Sequence, residues 1–464
     1  MTINFSRFAS AMLLGTALTG CAAVVKTPYQ APVVDIPQRF AIDQSKIHQA
    51  THLDQWWTLF NDAGLNRLVD KVLANNNDLV VAGIQLQQAR LQAGLAQDRQ
   101  GLRVNSSAST GHNLDLNSGR DTSRGVALNA GVSYEVDLFG RLASQTEAAR
   151  WEALATEQDL QATAQSLIAT TTNLYWQLGY LHERLSIAQL NLNSTEQTYN
   201  LVRTQYRVGA VSGLDLTQAE QALQSQRASL SQIQQQLLET RTALAVLLNR
   251  PVQQLNLVEP KRLSHASLPA IQPGLPAELL SRRPDLQAAE LRLRKALSNK
   301  DATKASYYPS ISLTGSLGSS STSLTQLLQN PALALGASLS LPFLQYNDMQ
   351  KDLAISDLDY EKAIVQYRQT LYQAFADVEN ALSNRSELNK QVALQQKNLE
   401  LAEKTERLTQ VRYKNGAIAL KNLLDAQATT RNARLALVQS KQSQYNAYVT
   451  LMQALGGSPL KSLP

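Results

Sequence analysis

The stretch from Arg141 to Val208 constrains the fold of this 464-residue chain most strongly. Its apolar residues recur every seven positions in two rows offset by four, the a/d pattern of a coiled coil. At about 1.5 Å per residue, such a helix would be roughly 100 Å long. We therefore predict a long helical rod. The two rows are Leu160, Leu167, Leu174, Leu181 and Ala188, and Leu178, Leu185, Leu192, Tyr199 and Tyr206.

Composition and motifs exclude several classes of protein. The net charge is +6, but Lys and Arg are spread beside Asp and Glu, which is typical of solvated helix faces and not of a nucleic-acid interface. Beyond the N-terminus no apolar run reaches the ~20 residues of a membrane-spanning helix. The sequence contains neither a phosphate loop nor a nucleophile elbow, metal-ligand spacing or paired catalytic carboxylates. We expect no enzyme activity, no catalytic residue, no cofactor and no metal.

The single cysteine, Cys21, follows a short apolar N-terminal run. The sequence Leu18-Thr19-Gly20-Cys21 resembles a bacterial lipoprotein signal, in which residues 1–20 are removed and the cysteine receives lipid. A plain secretory signal with an incidental cysteine is the alternative. We favour lipidation of Cys21, and Ala22 after it implies sorting to the outer membrane. Residues 21–60, which contain several prolines, would then form a lipidated N-terminal arm.

Before the long helix the hydrophobic period changes to two. Every second residue from Val126 to Leu138 is apolar, which predicts a strand of about 13 residues with one apolar and one polar face. Val104 to Thr110 is a weaker partner strand, and Gly111 to Arg124 is expected to connect them. After the long helix, the glycine-rich segment 209–213 predicts a turn, with Ser212 or Gly213 as N-cap of a helix over 214–249.

The second half of the chain repeats the first at a constant offset of 207, which we call the repeat offset. Val126 corresponds to Leu333, and the Tyr206 turn corresponds to the Tyr413 turn. One offset without gaps indicates duplication. We expect a first repeat over 61–250 with strands at about 103–138, a linker over 251–275, a second repeat over 276–457 with strands at about 309–343, and a tail over 458–464.

The length and alternation of the predicted strands suit a membrane. A tilted spanning strand needs ~9 to 11 residues, and lipid-facing and lumen-facing residues alternate along it. An open sheet edge is not viable in hydrocarbon, and about eight strands are the practical minimum for a barrel. Four strands per chain therefore imply that several chains share one barrel. Two chains would supply eight strands and three would supply twelve.

The whole layout resembles the TolC family of outer-membrane efflux channels, in its lipidated NodT/OprM-like branch. The resemblance rests on the duplication, the lipoprotein box, the two Tyr-x-x-Gly-Ala turns, the motif over 137–141 and the run over 75–79. It implies an α+β membrane protein, in which a long α-helical coiled-coil barrel is continuous with a transmembrane β-barrel of four strands per chain. It also implies a homotrimer in the lipid of a Gram-negative outer membrane, extending into the periplasm, with a periplasmic adaptor and an inner-membrane pump, of RND type, as partners.

The resemblance also assigns candidate site residues. Asp215 and Asp425 fall on positions that narrow the pore, and Tyr413 on one that ties neighbouring helices together. Asn422 stands where an acidic residue is common, so the resemblance implies a weaker ring of negative charge here. Ile418 stands where the basic partner of a salt-bridge latch can occur, so the resemblance does not imply such a latch in this chain. Asp215 has a second interpretation, because an acidic residue also favours the start of a helix. The turns expected to dock the adaptor contain Gly209, Ala210, Val211, Gly416, Ala417 and Ile418.

Three interpretations of function follow. The favoured one is a channel that passes drugs or other small molecules out of the cell. The same duct could serve type I protein secretion, although the lipid anchor and the branch motifs favour small-molecule efflux. A periplasmic coiled-coil spacer without a pore would explain the heptads, but it leaves the alternating strands without a purpose.

Overall fold

The structure is a computed structural model that describes residues 25–41, 54–115, 120–263, 268–269, 271 and 276–457. The predicted signal peptide, Cys21 and the C-terminal tail lie outside the described residues. The chain divides into two compact units. The sheet unit contains the described residues within Met1–Val34, Ile84–Gln158 and Gln287–Thr370, and the helical unit contains those within Asp35–Gly83, Asp159–Leu286 and Leu371–Pro464.

Long helices and four strands alternate in the same order in both halves of the chain. Short 3₁₀ segments cover Trp56–Phe60, Val252–Gln254, Pro276–Glu278, Leu324–Gln329 and Pro342–Leu344, and Leu279–Arg282 is a single helical turn. The longer elements are α1 (Ala63–Asn75), α2 (Asn77–Asp98), β1 (Arg103–Asp115), β2 (Arg120–Val136), α3 (Arg141–Arg207), α4 (Gly213–Leu247), α5 (Pro284–Ser306), β3 (Ser310–Ser321), β4 (Pro331–Ser340), α6 (Tyr346–Lys414) and α7 (Leu420–Ala454).

The helix predicted from the heptads is α3, which continues for 67 residues. In the helical unit the first heptad row is largely buried, and Leu178 and Leu181 are fully buried, whereas Tyr206 at the end of the second row is exposed. In the second repeat Leu371 and Val378 are also fully buried. Burial of these rows, and not intrinsic propensity, stabilises helices of this length. Within the described part of the chain, no helix combines the length and the hydropathy of a bilayer-spanning segment.

The four strands form one antiparallel sheet in the order β1-β2-β3-β4, and β1 and β4 are its two edges. Residues directly opposite each other share a face, so the register aligns the apolar residues of successive strands. Val132 stands opposite both Val104 and Gly315, and Gly315 opposite Leu335. The opposite face carries mainly Ser, Asn and Gly. Exposed members of the apolar face are Val104, Leu128, Val132, Tyr134, Leu313, Leu317, Leu333, Leu335 and Leu339.

The predicted connection from Gly111 to Arg124 is wrong in extent. Strand β1 continues to Asp115 and β2 already begins at Arg120, so the hairpin is longer than the hydrophobic alternation indicates. Backbone pairing between β1 and β2 holds the polar residues at 111–115 and 120–124 extended, despite their low strand propensity. Alternation detects a strand only where one of its faces is apolar.

The junction of β2 with α3 explains the motif over 137–141. The Asp137 carboxylate accepts hydrogen bonds from the backbone N–H groups of Leu142 (3.1 Å) and Ala143 (2.8 Å). Gly140 has a positive φ of 75°, which glycine adopts at little cost. Arg141 pairs with Glu135 at 2.5 Å. The motif therefore caps the long helix at the point where the strand ends.

The duplication is visible in the element boundaries. Strands β1 and β3 begin one repeat offset apart, at Arg103 and Ser310. Helices α3 and α6 end one repeat offset apart, at Arg207 and Lys414. Helices α4 and α7 keep the same spacing at both ends. The predicted internal repeat is therefore confirmed as a repeat of structure.

Candidate gate at the helix turns

The turn after α3 is closed by a pair of backbone hydrogen bonds. Gly209 donates to the carbonyl of Tyr206 (3.0 Å), and Ala210 donates to the carbonyl of Gln205 (2.8 Å). This is the Schellman arrangement, which needs a left-handed residue directly after the helix. Gly209 supplies it with a φ of 76°. The spacing in Tyr-x-x-Gly-Ala is thus the spacing of a helix terminus.

The turn after α6 repeats this geometry in the second half of the chain. Gly416 donates to Tyr413 and Ala417 to Arg412, both at 2.9 Å, and Gly416 has a φ of 70°. Both glycines and both alanines of the two turns are exposed. Val211 and Ile418, which follow the alanines, are half-buried. In each predicted docking turn the glycine and alanine are therefore accessible to solvent, and the apolar side chain that follows them, Val211 or Ile418, is half-buried.

Asp215 takes part in a capping box at the start of α4. The Ser212 hydroxyl accepts from the Asp215 backbone N–H at 3.2 Å, and the Asp215 carboxylate accepts from the Ser212 backbone N–H at 3.0 Å. This is the helix-start role considered for Asp215. The corresponding residues at the start of α7 are Ala419 and Asn422, and an alanine side chain cannot accept such a bond. The two turns therefore differ in their N-caps.

A small apolar cluster holds the helices together beside the turns. Its buried members come from three helices: Val202 of α3, Ala219 of α4 and Leu420 of α7. Because the three helices share one core, a displacement of α4 or α7 disturbs contacts with α3. The half-buried residues packed against this cluster are Tyr199, Val211, Leu216, Tyr413 and Leu424.

Tyr413 links the second turn to the first. Its hydroxyl donates to the side-chain oxygen of Gln205 at 3.0 Å. Burial, and then the negative charge of Asp215, raise the pKa of this hydroxyl, so it remains a donor at neutral pH. The structure thus brings Tyr413 and Asp215 into one region, together with Gln205. Sequence reasoning missed Gln205, although it directly precedes Tyr206, the repeat counterpart of Tyr413.

Asp425 lies in the second turn of α7 and pairs with Lys421 at 2.5 Å. Their side chains are 62% and 72% exposed, so the pair is accessible to water and contributes little to stability. Asn422, in the first turn, is also exposed. Lys421 was not among the residues predicted from the sequence, although its i,i+4 spacing from Asp425 favours such a pair.

Comparison with protein families decides the family of the chain. The family model described as "Outer membrane efflux protein" matches residues 68–250 and 275–457, which is most of the chain. The chain belongs to the outer membrane efflux protein family. The two matched segments carry the two structural repeats.

Relatives of this efflux protein align along nearly their whole length. Cation efflux system protein CusC of Escherichia coli strain K12 is 30% identical, over 95% of this chain and 97% of CusC. Pyoverdine export outer membrane protein OpmQ of Pseudomonas aeruginosa strain PAO1 is 32% identical, over 88% of each. The crystal structure of the open state of the Neisseria gonorrhoeae MtrE outer membrane channel has a TM-score of 0.79 and 30% identity, and the match covers 93% of this chain and 97% of MtrE.

These findings confirm the predicted family and fold class. The protein is an outer-membrane efflux channel and not an enzyme, and its location is the outer membrane of a Gram-negative bacterium. The described residues contain no group of three His, Cys, Asp or Glu side chains that could hold a metal ion. The assignments of Cys21, the gate residues and the docking turns stay predictions.

Proposed function

We propose that three copies of this chain form one channel that carries drugs or other small molecules from an inner-membrane pump and a periplasmic adaptor to the outside. The four-stranded sheet carries the proposal, because its apolar face is exposed and its two edges, β1 and β4, are available for pairing. In hydrocarbon these edges require partners. Three copies supply twelve strands, enough to close a barrel around a lumen.

The family of the chain supports a proposal for its partners and cargo. CusC is named for cation efflux and OpmQ for pyoverdine export, and these cargoes are chemically unlike. We infer that an outer-membrane channel of this family contributes less to the selection of cargo than the inner-membrane pump does. We therefore assign a tripartite system, with a pump of RND type, an adaptor that docks on the turns at Gly209 to Val211 and Gly416 to Ile418, and substrates that pass without chemical change.

We also propose the division of the chain: a signal over 1–20, a lipidated arm over 21–60, repeats over 61–250 and 276–457, a linker between them and a tail over 458–464. Contacts of the arm within the sheet unit support its part in this scheme. Thr27 donates to the buried Asp301 through its backbone N–H (2.9 Å), and Lys26 pairs with Glu147 at 3.0 Å. The arm is thus fixed to helices a few residues after the acylated Cys21.

The gate, in this proposal, is formed by Asp215, Asn422 and Asp425 where the turns of three copies converge, with Tyr413 holding neighbouring helices in the closed arrangement. Three carboxylates at a narrow opening favour cations over anions. Asp215 is half-buried, and its carboxylate is bonded to the N-cap residue Ser212, whereas Asp425 is exposed. Asp425 is therefore the residue whose charge is most accessible to passing ions.

Asp425→Ala is expected to weaken the cation preference of single channels in planar bilayers. The substitution removes a carboxylate from each copy and leaves the positive charge of Lys421 unpaired. Lys421→Ala is the matched control, because it leaves Asp425 unpaired and should strengthen the cation preference. Reversal potentials measured in a salt gradient report both changes. Equal selectivity in the two variants and the parent would remove Asp425 from the gate.

Deletion of the gene tests the proposed function as a whole. We expect the deletion strain to become sensitive to several small toxic compounds, and expression of the chain to restore resistance. Affinity purification of the complemented, cross-linked strain should recover an adaptor and a pump. Loss of protein secretion with unchanged drug susceptibility would favour the type I secretion duct instead.

A further inference from the structure

The two hairpins of the sheet, equivalent by duplication, have tips of opposite polarity. Between Lys304 and Asp348 the sequence contains no Asp, Glu, Lys or Arg, so the second hairpin and its loop carry no charge. Leu328 of that loop is the repeat counterpart of Asp121. The charged residues near the tip of the first hairpin are Asp115, Arg120, Asp121 and Arg124.

The first hairpin extends beyond the rest of the sheet. Pairing of β2 with β3 ends at Val126 and Ser321, whereas β1 and β2 remain paired as far as Asp115 and Arg120. The charged residues of this tip therefore lie beyond the part of the sheet that β2 and β3 share. In the proposed barrel they stand in water, and the uncharged part of the sheet corresponds to the apolar band in the membrane.

The loop between β3 and β4 lies against the sheet instead. Its 3₁₀ segment, Leu324–Gln329, contacts both β3 and β2. The Ser319 hydroxyl is within hydrogen-bond distance of the carbonyls of Leu327 and Asn330, the latter at 3.0 Å. Ser319 stands opposite Leu128, and its side chain is therefore on the apolar face. The loop thus covers part of the apolar face at the end of β3.

Two leucines of this loop are exposed in the single chain. Leu324 is 76% and Leu328 is 78% exposed, which places them among the most exposed large apolar side chains of the described residues. Leu327 between them is half-buried, and Ser319 beneath the loop is only 9% exposed. Transfer of such leucines from water to hydrocarbon is favourable, and no charged residue of the loop opposes it.

We propose that the β3–β4 loop is a lipid-contacting flap, in which Leu324 and Leu328 insert among the acyl chains of the outer leaflet of the outer membrane. The tip of the first hairpin reaches into water. This inference rests on the membrane-spanning barrel proposed above and adds the lipid partner of its outer rim.

The depth of the flap agrees with contact to acyl chains. From Ser310 to Ser319, a strand that rises about 3.3 Å per residue and is tilted by about 45° climbs about 21 Å along the membrane normal. The apolar band of a membrane barrel is about 25 Å tall. Measured from the start of β3, the flap therefore lies just inside the outer boundary of the hydrocarbon layer.

The position of the flap across the sheet also favours lipid over a second copy of the chain. The flap lies on β2 and β3, which are the two central strands, whereas the edges at which copies can pair are β1 and β4. The apolar face under the flap is the face that meets lipid in the proposed barrel. Acyl chains are therefore continuous from this face to the exposed leucines.

Single cysteines that carry the environment-sensitive fluorophore NBD test the flap in the full-length protein, reconstituted in vesicles of phosphatidylethanolamine and phosphatidylglycerol. Leu324→Cys and Leu328→Cys sample the flap, and Leu317→Cys samples the apolar face. Asp121→Cys, at the repeat counterpart of Leu328, is the matched control for the first tip. The unsubstituted protein gives the background, because its single cysteine, Cys21, is predicted to be acylated.

Iodide quenches labels in water, and a lipid with a nitroxide on its acyl chain quenches labels in hydrocarbon. We expect both flap labels to resemble the label at Leu317, with blue-shifted emission, quenching by the nitroxide lipid and loss of quenching by iodide. The label at Asp121 should be quenched by iodide and not by the nitroxide lipid.

Two results would overturn the flap while the label at Leu317 is in hydrocarbon. The first is quenching of either flap label by iodide, as at Asp121. The second is protection of the flap labels from both quenchers, which would mean that protein covers them. Quenching of the label at Leu317 by iodide would instead overturn the membrane-spanning barrel, and with it the proposed function.

Discussion

Arginine in place of Leu317 is expected to prevent assembly of the channel in the outer membrane. Leu317 lies in β3 opposite Ala130 and Leu333, on the apolar face, and 56% of it is exposed in the single chain. In the proposed barrel this face meets lipid. An arginine near the bilayer midplane costs about 2 to 4 kcal/mol, which amounts to about 6 to 12 kcal/mol over three copies. That cost is comparable to the whole stability of a typical domain.

Ser316→Arg is the matched control, because Ser316 precedes Leu317 in the same strand but faces the polar side, opposite Gly131 and Ala334. We expect this variant to insert and to form oligomers that survive in detergent at moderate temperature. The measurement is the amount of heat-sensitive oligomer in outer-membrane fractions on gels. Equal assembly of both variants would contradict a lipid-facing role for this face of the sheet.

Tyr413→Phe is expected to increase the fraction of open channels. Phenylalanine keeps the ring that packs against the cluster of Val202, Ala219 and Leu420 but loses the hydrogen bond to Gln205. One such bond contributes about 0.5 to 1.5 kcal/mol, so three copies that open together lose about 1.5 to 4.5 kcal/mol. A change of this size shifts a two-state equilibrium about 10-fold to 10³-fold.

The measurement is the open probability of single channels in planar bilayers, together with uptake of bulky antibiotics by intact cells. Tyr206→Phe is the control, since it makes the same substitution at the repeat counterpart, which is 45% exposed. We expect Tyr206→Phe to conduct like the parent. If Tyr413→Phe did the same, the hydrogen bond to Gln205 would have no part in closing the channel.

The fold was predictable where one face of an element is apolar. Heptads located α3, and alternation located the apolar part of β2, because burial or lipid contact selects residues at those periods. The polar end of the first hairpin was missed, since Asp115 and Arg120 are held extended by pairing with the opposite strand. Such pairing depends on the partner strand and leaves no pattern in a single segment.

The candidate site was predictable only in part. The glycines of both turns follow from local geometry, because a left-handed residue must end each helix. The contact of Tyr413 with Gln205 joins residues 208 positions apart, and only packing of the helices brings them together. The roles of Asp215 and Asp425 in gating come from family resemblance, and the structure adds their immediate partners, Ser212 and Lys421.

The unequal N-caps of the two turns have a mechanical consequence. Helix α4 starts from the reciprocal Ser212–Asp215 box, and a cap of this type is worth about 0.5 to 2 kcal/mol. Helix α7 starts at Leu420 after Ala419, which offers nothing comparable. The first turn of α4 is therefore held more firmly than the first turn of α7. We therefore expect that a partner which docks on the turns and pulls on both helices would unwind the first turn of α7, next to Asn422 and Asp425, before that of α4.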